Sequence, residues 1–289
     1  MYIVCKNATF LFVMIIVVLC VSGSYANAWR NDTANVKKNI AYGADELQKL
    51  DIYIPDGGGG LNLPVHIFVH GGAWRKGDKR RYEDHALFYN VNNIIFVSIN
   101  YRLSPKDIHP AQIEDCARAV KWVIDNIGSY GGDVNNINIS GHSAGAHLVA
   151  LLGTDHKYLA KYDIPLSKLK TVIPVDTASF DFTTPLTGLG SRVVSGIIDE
   201  TFGVSDYKLR AASPLFHVDG NNATRFMMFV TSKRQDAVSQ TKAFHNALVK
   251  AGTRSSMYVI EGLSHREMNK GMSDPKSPIA KSILKAILN

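Results

Sequence analysis

From about residue 65 to the C-terminus, short apolar runs alternate with amphipathic helical stretches, and no other feature of the chain constrains its fold as strongly. The runs are Val65–Val69, Ile94–Ile99, Ile137–Ser140, Thr171–Val175, Phe226–Val230 and Met257–Ile260. Most are apolar nearly throughout. A strand can afford that only when both of its faces are covered, as in a parallel sheet flanked by helices. Between them, residues 110–127 form the clearest helix: Pro110 opens it, and Ile113, Ala117, Val120, Val123, Ile124 and Ile127 share one face. Gly128 and Gly131-Gly132 stop it. With 46% apolar residues in 289, the chain can bury the core that such a sheet needs.

Ahead of this series, residues 36–54 predict two strands joined by a turn near Gly43, paired antiparallel at one sheet edge. Gly57–Gly60 reads as a flexible connector. Residues 177–212 interrupt the rhythm with threonine, glycine and proline around two short helical pieces, SRVVSGIIDETFG and DYKLRAA. They suit a small cap or pocket wall, with a meandering surface loop as the competing reading.

The N-terminus carries Lys6, then the apolar run TFLFVMIIVVLCVSG, then small residues ending Ala26-Asn27-Ala28. This predicts a signal peptide over residues 1–28, cleaved after Ala28, and a single domain over 29–289 that is secreted or periplasmic. A retained membrane anchor is the alternative, but the apolar run is short for a span. Cleavage leaves no stable membrane insertion and Cys116 as the one cysteine, so neither an internal disulfide nor a thiolate zinc site is expected. A net charge of +7 without long basic runs predicts no nucleic-acid partner, and Lys79-Arg80-Arg81 reads as a solvated loop. Asn31 and Asn222 begin glycosylation sequons that would matter in a eukaryotic host. Nothing in the sequence sets the oligomeric state.

Gly141-His142-Ser143-Ala144-Gly145 stands between a strand and a helix. A serine on such a turn is thrust out of the sheet, and residues two places either side must be small to clear the neighbouring elements. The helix that starts at Ala144 aims its free N–H groups at any oxyanion formed beside Ser143. His70-Gly71-Gly72-Ala73-Trp74 ends another strand on the same rim. Gly71 shapes the bend there, and the amides of Gly72 and Ala73, with that of Ala144, are the expected oxyanion donors. His70 is expected to fix the loop and Trp74 to pack beneath it.

Serine needs a base, and the base needs an orienting acid. His265 follows the last strand, whereas His142 is expected to project elsewhere, His147 lies inside a helix, and His85, His156 and His245 sit on segments expected at the surface. For the acid, Asp236 after the penultimate strand is preferred over Asp176 at the end of LKTVIPVD. The predicted catalytic set is Ser143, Asp236 and His265, with Gly71, Gly72, Ala73 and Ala144 forming the oxyanion hole.

VHIFVHGGAWRKGDK, VSINYRLSP, HPAQIEDCARAVKWVIDNIGSYGGD and INISGHSAGAHLVALL occur in an order and spacing that resemble the esterase and lipase group of α/β-hydrolases over residues 40–289. Within that group the HGGAW loop and SGHSAGAHL elbow look most like arylformamidases and ferulic-acid-esterase-like carboxylesterases. The resemblance implies an eight-stranded, mostly parallel α/β sheet, the same nucleophile, base, acid and oxyanion loop, and neither metal nor organic cofactor. The chain departs from the family at SKRQDAV, where glycine and a second acid more often surround the aspartate, and at LSHRE, where an aromatic residue often follows the histidine. A secreted carboxylesterase acting on small or soluble esters is therefore expected. Arylformamidase action on N-formylkynurenine and a non-catalytic binding module of the same fold are the alternatives.

Overall fold

The computed structural model describes residues 35–57, 62–187 and 190–289, so the predicted signal peptide, its cleavage point and the Asn31 sequon lie outside the described residues. The elements run β1 (Val36–Ala41), β2 (Lys49–Tyr53), β3 (Leu63–Val69), α1 (Glu83–Asn90), β4 (Ile95–Ile99), α2 (Ala111–Asn126), β5 (Gly132–His142), α3 (Ala144–Thr154) and α4 (Lys157–Ala160). They continue with β6 (Leu169–Val175), α5 (Ser191–Phe202), α6 (Asp206–Ala211), β7 (Arg225–Thr231), α7 (Gln235–Lys250), β8 (Arg254–Ile260), α8 (His265–Gly271) and α9 (Pro278–Leu288). The sheet order is β1-β2-β4-β3-β5-β6-β7-β8. Strand β2 pairs antiparallel with β4, and every pair from β4 to β8 is parallel. The strand–helix alternation predicts this mostly parallel sheet, and the resemblance to α/β-hydrolases implies its eight strands.

Burial follows the sequence pattern. β4 is buried along its whole length and β3, β6 and β7 nearly so, because helices cover both faces. Helix α2 turns Ile113, Ala117, Val120 and Val123 into the core, and a short 3₁₀ turn after it ends at Gly131 with φ 84°. Helix α3 is buried on all sides, which its run of alanine, leucine and valine permits. At the outer edge β8 stays largely uncovered. Residues 37–289 pack as one unit. Among the described residues no helix is long and apolar enough to cross a membrane.

The register places the functional rim. Val69 of β3 lies beside Gly141 of β5, and His142 lies beside Val175 of β6. The residues that leave the sheet next, around Gly71, Ser143 and Asp176, therefore emerge side by side at one edge. Segment 177–212 supplies α5 and α6 in the positions of the two predicted helical pieces. It is anchored: Phe202 of α5 and Phe182 meet the Trp74 ring edge-on, with centroids 5.0 and 5.9 Å away.

Two surface expectations are corrected. Lys79 is buried with its ammonium 2.7 Å from the Asp51 carboxylate, because Asp78 caps a 3₁₀ turn that folds the lysine inward. His85 is buried on the inner side of α1, in ring contact with Phe68 and Tyr82. Asn222 is buried too, and its amide donates to the Asp219 carbonyl and the Thr253 hydroxyl, so the sequon nitrogen is already engaged.

Candidate active site

Ser143 sits between β5 and α3 with φ 58° and ψ −119°, a backbone conformation that non-glycine residues rarely adopt. The flanking glycines make the turn possible. A Cβ on Gly141 would stand 2.4 Å from the carbonyl of Gly145, and one on Gly145 would stand 2.1 Å from the Val69 oxygen. The Ser143 amide donates to the Val175 carbonyl over 3.0 Å, tying the turn to the end of β6.

Asp176 is the next residue on that neighbouring strand. Its amide donates to Phe229 of β7, and its φ of 55° turns the side chain at the rim. The carboxylate is buried, with Oδ2 2.5 Å from His265 Nδ1 and Oδ1 accepting from the Thr231 amide over 3.1 Å. On its other ring nitrogen, His265 Nε2 lies 3.0 Å from Ser143 Oγ. A carboxylate only accepts, so Nδ1 carries the imidazole proton and Nε2 is left to take one from the serine.

Asp236, the acid expected from the sequence, does not face His265. Helix α7 begins at Gln235 and turns Asp236 toward the cap, where its two oxygens accept from the amide and hydroxyl of Thr187, each over 2.7 Å. The strand-end residue that reaches the triad from this loop is a cation. Arg234 Nη1 lies 3.1 Å from the Asp176 carbonyl, 3.2 Å from its Oδ2 and 3.1 Å from His265 Nδ1. Burial pushes the Asp176 carboxyl up, but the His265 hydrogen bond and the Arg234 charge outweigh it and hold the group below the usual carboxylate range.

His265 opens α8, and a capping box fixes where that helix starts: Ser264 accepts from the Glu267 amide, while Glu267 accepts from that of Ser264. His142 was expected to project elsewhere, yet its ring packs 4.5 Å from that of His265. Sequence reasoning thus missed two residues at the centre of the site, Arg234 and His142. The basic pair ahead of Asp236 in SKRQD is the signal that pointed to the first.

The oxyanion loop lies against the serine turn. A Cβ on Gly71 would come within 2.7 Å of the His142 carbonyl and 3.1 Å of Ser143 Cβ. Gly72, Ala73 and Trp74 follow with φ of 125°, 55° and 56°, a run that exposes successive amides. Among the described residues, no backbone carbonyl pairs with the N–H of Gly72, Ala73 or Ala144. His70 fixes the loop as expected: its Nδ1 donates to Gly71 O over 2.8 Å, its ring stacks on Tyr101, and the Tyr101 hydroxyl donates to its carbonyl. Trp74 is buried beneath it.

His142, Asp176 and His265 bring potential metal ligands within 4.8 Å of one another. Two of the ring nitrogens are already committed, His142 Nε2 to the His265 carbonyl and His265 Nδ1 to Asp176. The arrangement is built to relay a proton and to receive negative charge on backbone amides. Beside it, Arg234 also lines a cavity of about 340 Å³ between cap and α7, with Leu186, Thr187, Ser191, Val194 and Asp236.

Known proteins resemble this chain in family and in fold. The BD-FAE family model matches residues 50–248. A probable isoprenylcysteine alpha-carbonyl methylesterase of Oryza sativa subsp. japonica is 27% identical over 249 residues, covering 82% of this chain and 58% of that protein. Kynurenine formamidase of Meyerozyma guilliermondii is 34% identical over 141 residues, covering 48% of this chain and 51% of its own length. The chain thus spans little more than half of these relatives. Among solved structures, Esterase B of Lactobacillus rhamnosis superposes with a TM-score of 0.72 at 17% identity, over 96% of this chain and 94% of that one. That match bears on the fold.

Proposed function

The chain belongs to the BD-FAE family, and from that premise we propose that it is a secreted serine carboxylesterase that hydrolyses small or soluble esters through an acyl-enzyme on Ser143. One observation carries the reading: Ser143, His265 and Asp176 are linked in hydrogen-bonded sequence beside the amides of Gly72, Ala73 and Ala144, which no backbone carbonyl among the described residues engages.

In this reading His265 Nε2 takes the Ser143 proton as Oγ attacks the ester carbonyl. Asp176 holds the ring and stabilises the imidazolium. The carbonyl oxygen gains its charge against the three amides, each worth about 3 kcal/mol to the transition state. His265 then returns the proton to the departing alcohol, and a water repeats the sequence on the acyl-enzyme to release the acid. The short insertion at residues 177–212, which supplies α5 and α6, supports compact or soluble substrates. Secretion rests on the apolar N-terminal run and the small residues before Asn27-Ala28.

The test is hydrolysis of nitrophenyl esters of increasing acyl length by the wild type and Ser143→Ala, with fluorophosphonate labelling in parallel. Turnover and labelling in the wild type and neither in the variant are expected. An active, labelled Ser143→Ala protein refutes the serine mechanism. The formamidase relative gives a second reading: N-formylkynurenine offered beside acetyl and feruloyl esters separates the two. N-terminal sequencing of protein from the culture medium should begin at Trp29.

A further inference from the structure

His142 ends β5, one residue before the nucleophile, and is 8% exposed. Its side chain bridges two elements that must stay in register. Nε2 lies 2.8 Å from the carbonyl oxygen of His265, the rings are 4.5 Å apart, and a Cβ on Gly71 would touch Nδ1 at 3.4 Å. The imidazole is thus wedged between the oxyanion loop and the start of α8. A carbonyl oxygen only accepts, so Nε2 carries the proton and donates it. Burial, reinforced by the neighbouring His265, pushes the His142 imidazole down to about 3, so the ring stays neutral across the range in which an esterase would work.

The base needs such a tether. His265 follows the exposed residues Glu261 and Gly262. Besides the Ser264–Glu267 capping box, side-chain bonds to the stretch between β8 and α8 come from β7 and the residues after it: Thr231 to the Leu263 carbonyl, Lys233 to that of Gly262, and Ser232 to the Glu261 carboxylate. These hold the stretch to its neighbour in the sheet. They do not set the distance from His265 to the serine, two strands further in. Among the described residues, the His142 bond is the side-chain link from the nucleophile strand to the backbone of the base.

We propose that His142 is a positioning residue, whose Nε2–H bond to the His265 carbonyl fixes the base at its 3.0 Å distance from the Ser143 hydroxyl. The inference rests on the reading of Ser143 and His265 as nucleophile and base. A tether of this kind acts on chemistry rather than on substrate affinity, because misplacing a catalytic group by about 1 Å can cost roughly 100-fold in rate.

The test compares His142→Leu, His142→Gln and His142→Asn for kcat, KM, the rate of fluorophosphonate labelling and thermal unfolding. Gln places an amide N–H where Nε2 stands, whereas Asn is polar but too short and Leu has no donor. Expected is a roughly 10- to 100-fold loss of kcat and of labelling rate in the Leu and Asn variants with KM little changed, and recovery of most of that loss in the Gln variant. The Asn–Gln pair decides the matter should the Leu variant fail to fold. Wild-type kcat in the Asn or Leu variant, or equal losses in Asn and Gln, would overturn the inference while leaving the serine mechanism standing. A wild type that neither turns over esters nor labels would instead overturn the reading on which it rests.

Discussion

Asp176 Oδ2 lies 2.5 Å from His265 Nδ1, and the two residues follow β6 and β8, with β7 between those strands. The acid crosses beneath the intervening strand end because its own amide is bonded to Phe229 of β7 and its Oδ1 to the Thr231 amide. The loop after β7 contributes Arg234 in place of an acid. Charge is arranged in the order cation, carboxylate, imidazole, hydroxyl.

Two isosteric substitutions separate the candidate acids. Asp176→Asn removes the acceptor that holds the His265 tautomer, and kcat should fall by about 10³- to 10⁴-fold with little change in KM. Among the described residues the Asp236 carboxylate bonds Thr187 rather than the triad, so with Asp236→Asn kcat should stay within a few-fold of wild type. Kinetics on one nitrophenyl ester measure both. Equal losses would return Asp236 to the triad.

How much of this could be read from the chain depends on which interactions are local. The glycines at 141 and 145, the strand–turn–helix context and the late histidine are local signals, and each matches the place that the structure gives it. The acid is different. Asp176 and Asp236 both follow strands that end on the same rim, and the choice between them turns on the distance from the strand end. Asp176 is the first residue past β6, in step with Ser143 past β5, while Asp236 lies five residues past β7 on a helix that faces the cap. His85 and Lys79 depart from expectation because polar residue type argued for solvent, and His142 because its place on the turn argued for another direction; in each case a partner distant in sequence overrode it. Those partners are Ser273, Asp51 and the His265 carbonyl.

Gly72 should tolerate no side chain. Its φ is 125°, and a Cβ there would stand 1.8 Å from the Lys76 carbonyl oxygen, so Gly72→Ala must displace the loop that presents the Gly72 and Ala73 amides. Loss of one oxyanion donor costs about 10²- to 10³-fold in kcat. The expected outcome is a loss of that size with the triad intact, visible as slow acylation in a single-turnover experiment. A fully active Gly72→Ala protein would remove this loop from the mechanism.

The buried histidines should make the fold acid-labile. Burial is the leading cause that pushes His66, His142 and His147 down to about 3, and His70, His85 and His109 down to about 4. The native state therefore holds them neutral while the unfolded chain takes up protons below about pH 6.5. Their contribution is complete above that pH. It is withdrawn as pH falls toward 4, at up to about 1.4 kcal/mol per pH unit for each group. Asp176, held below the ordinary carboxylate range, adds a loss only below about pH 4. Urea midpoints should thus be level from pH 8 to 7 and fall steeply between pH 6.5 and 5. A midpoint unchanged down to pH 5 would mean that these rings are solvated.

The buried pair of Lys79 and Asp51 gives a test of stability away from the rim. The Lys79 ammonium also donates to the Asn39 side chain, and the Asp51 carboxylate accepts from the Asn39 amide, so the pair joins β1, β2 and the turn that follows the oxyanion loop. Removing one charge strands the other in a low-dielectric site, and Lys79→Met should cost about 3 to 5 kcal/mol. Replacing both, as Lys79→Met with Asp51→Leu, removes the stranded charge and should recover much of that loss. Chemical denaturation of the two variants reads the difference directly. Since neither residue reaches the triad, kcat of the folded fraction should remain near wild type in both. A single variant as stable as the wild type would show that water reaches Asp51 once the lysine is gone.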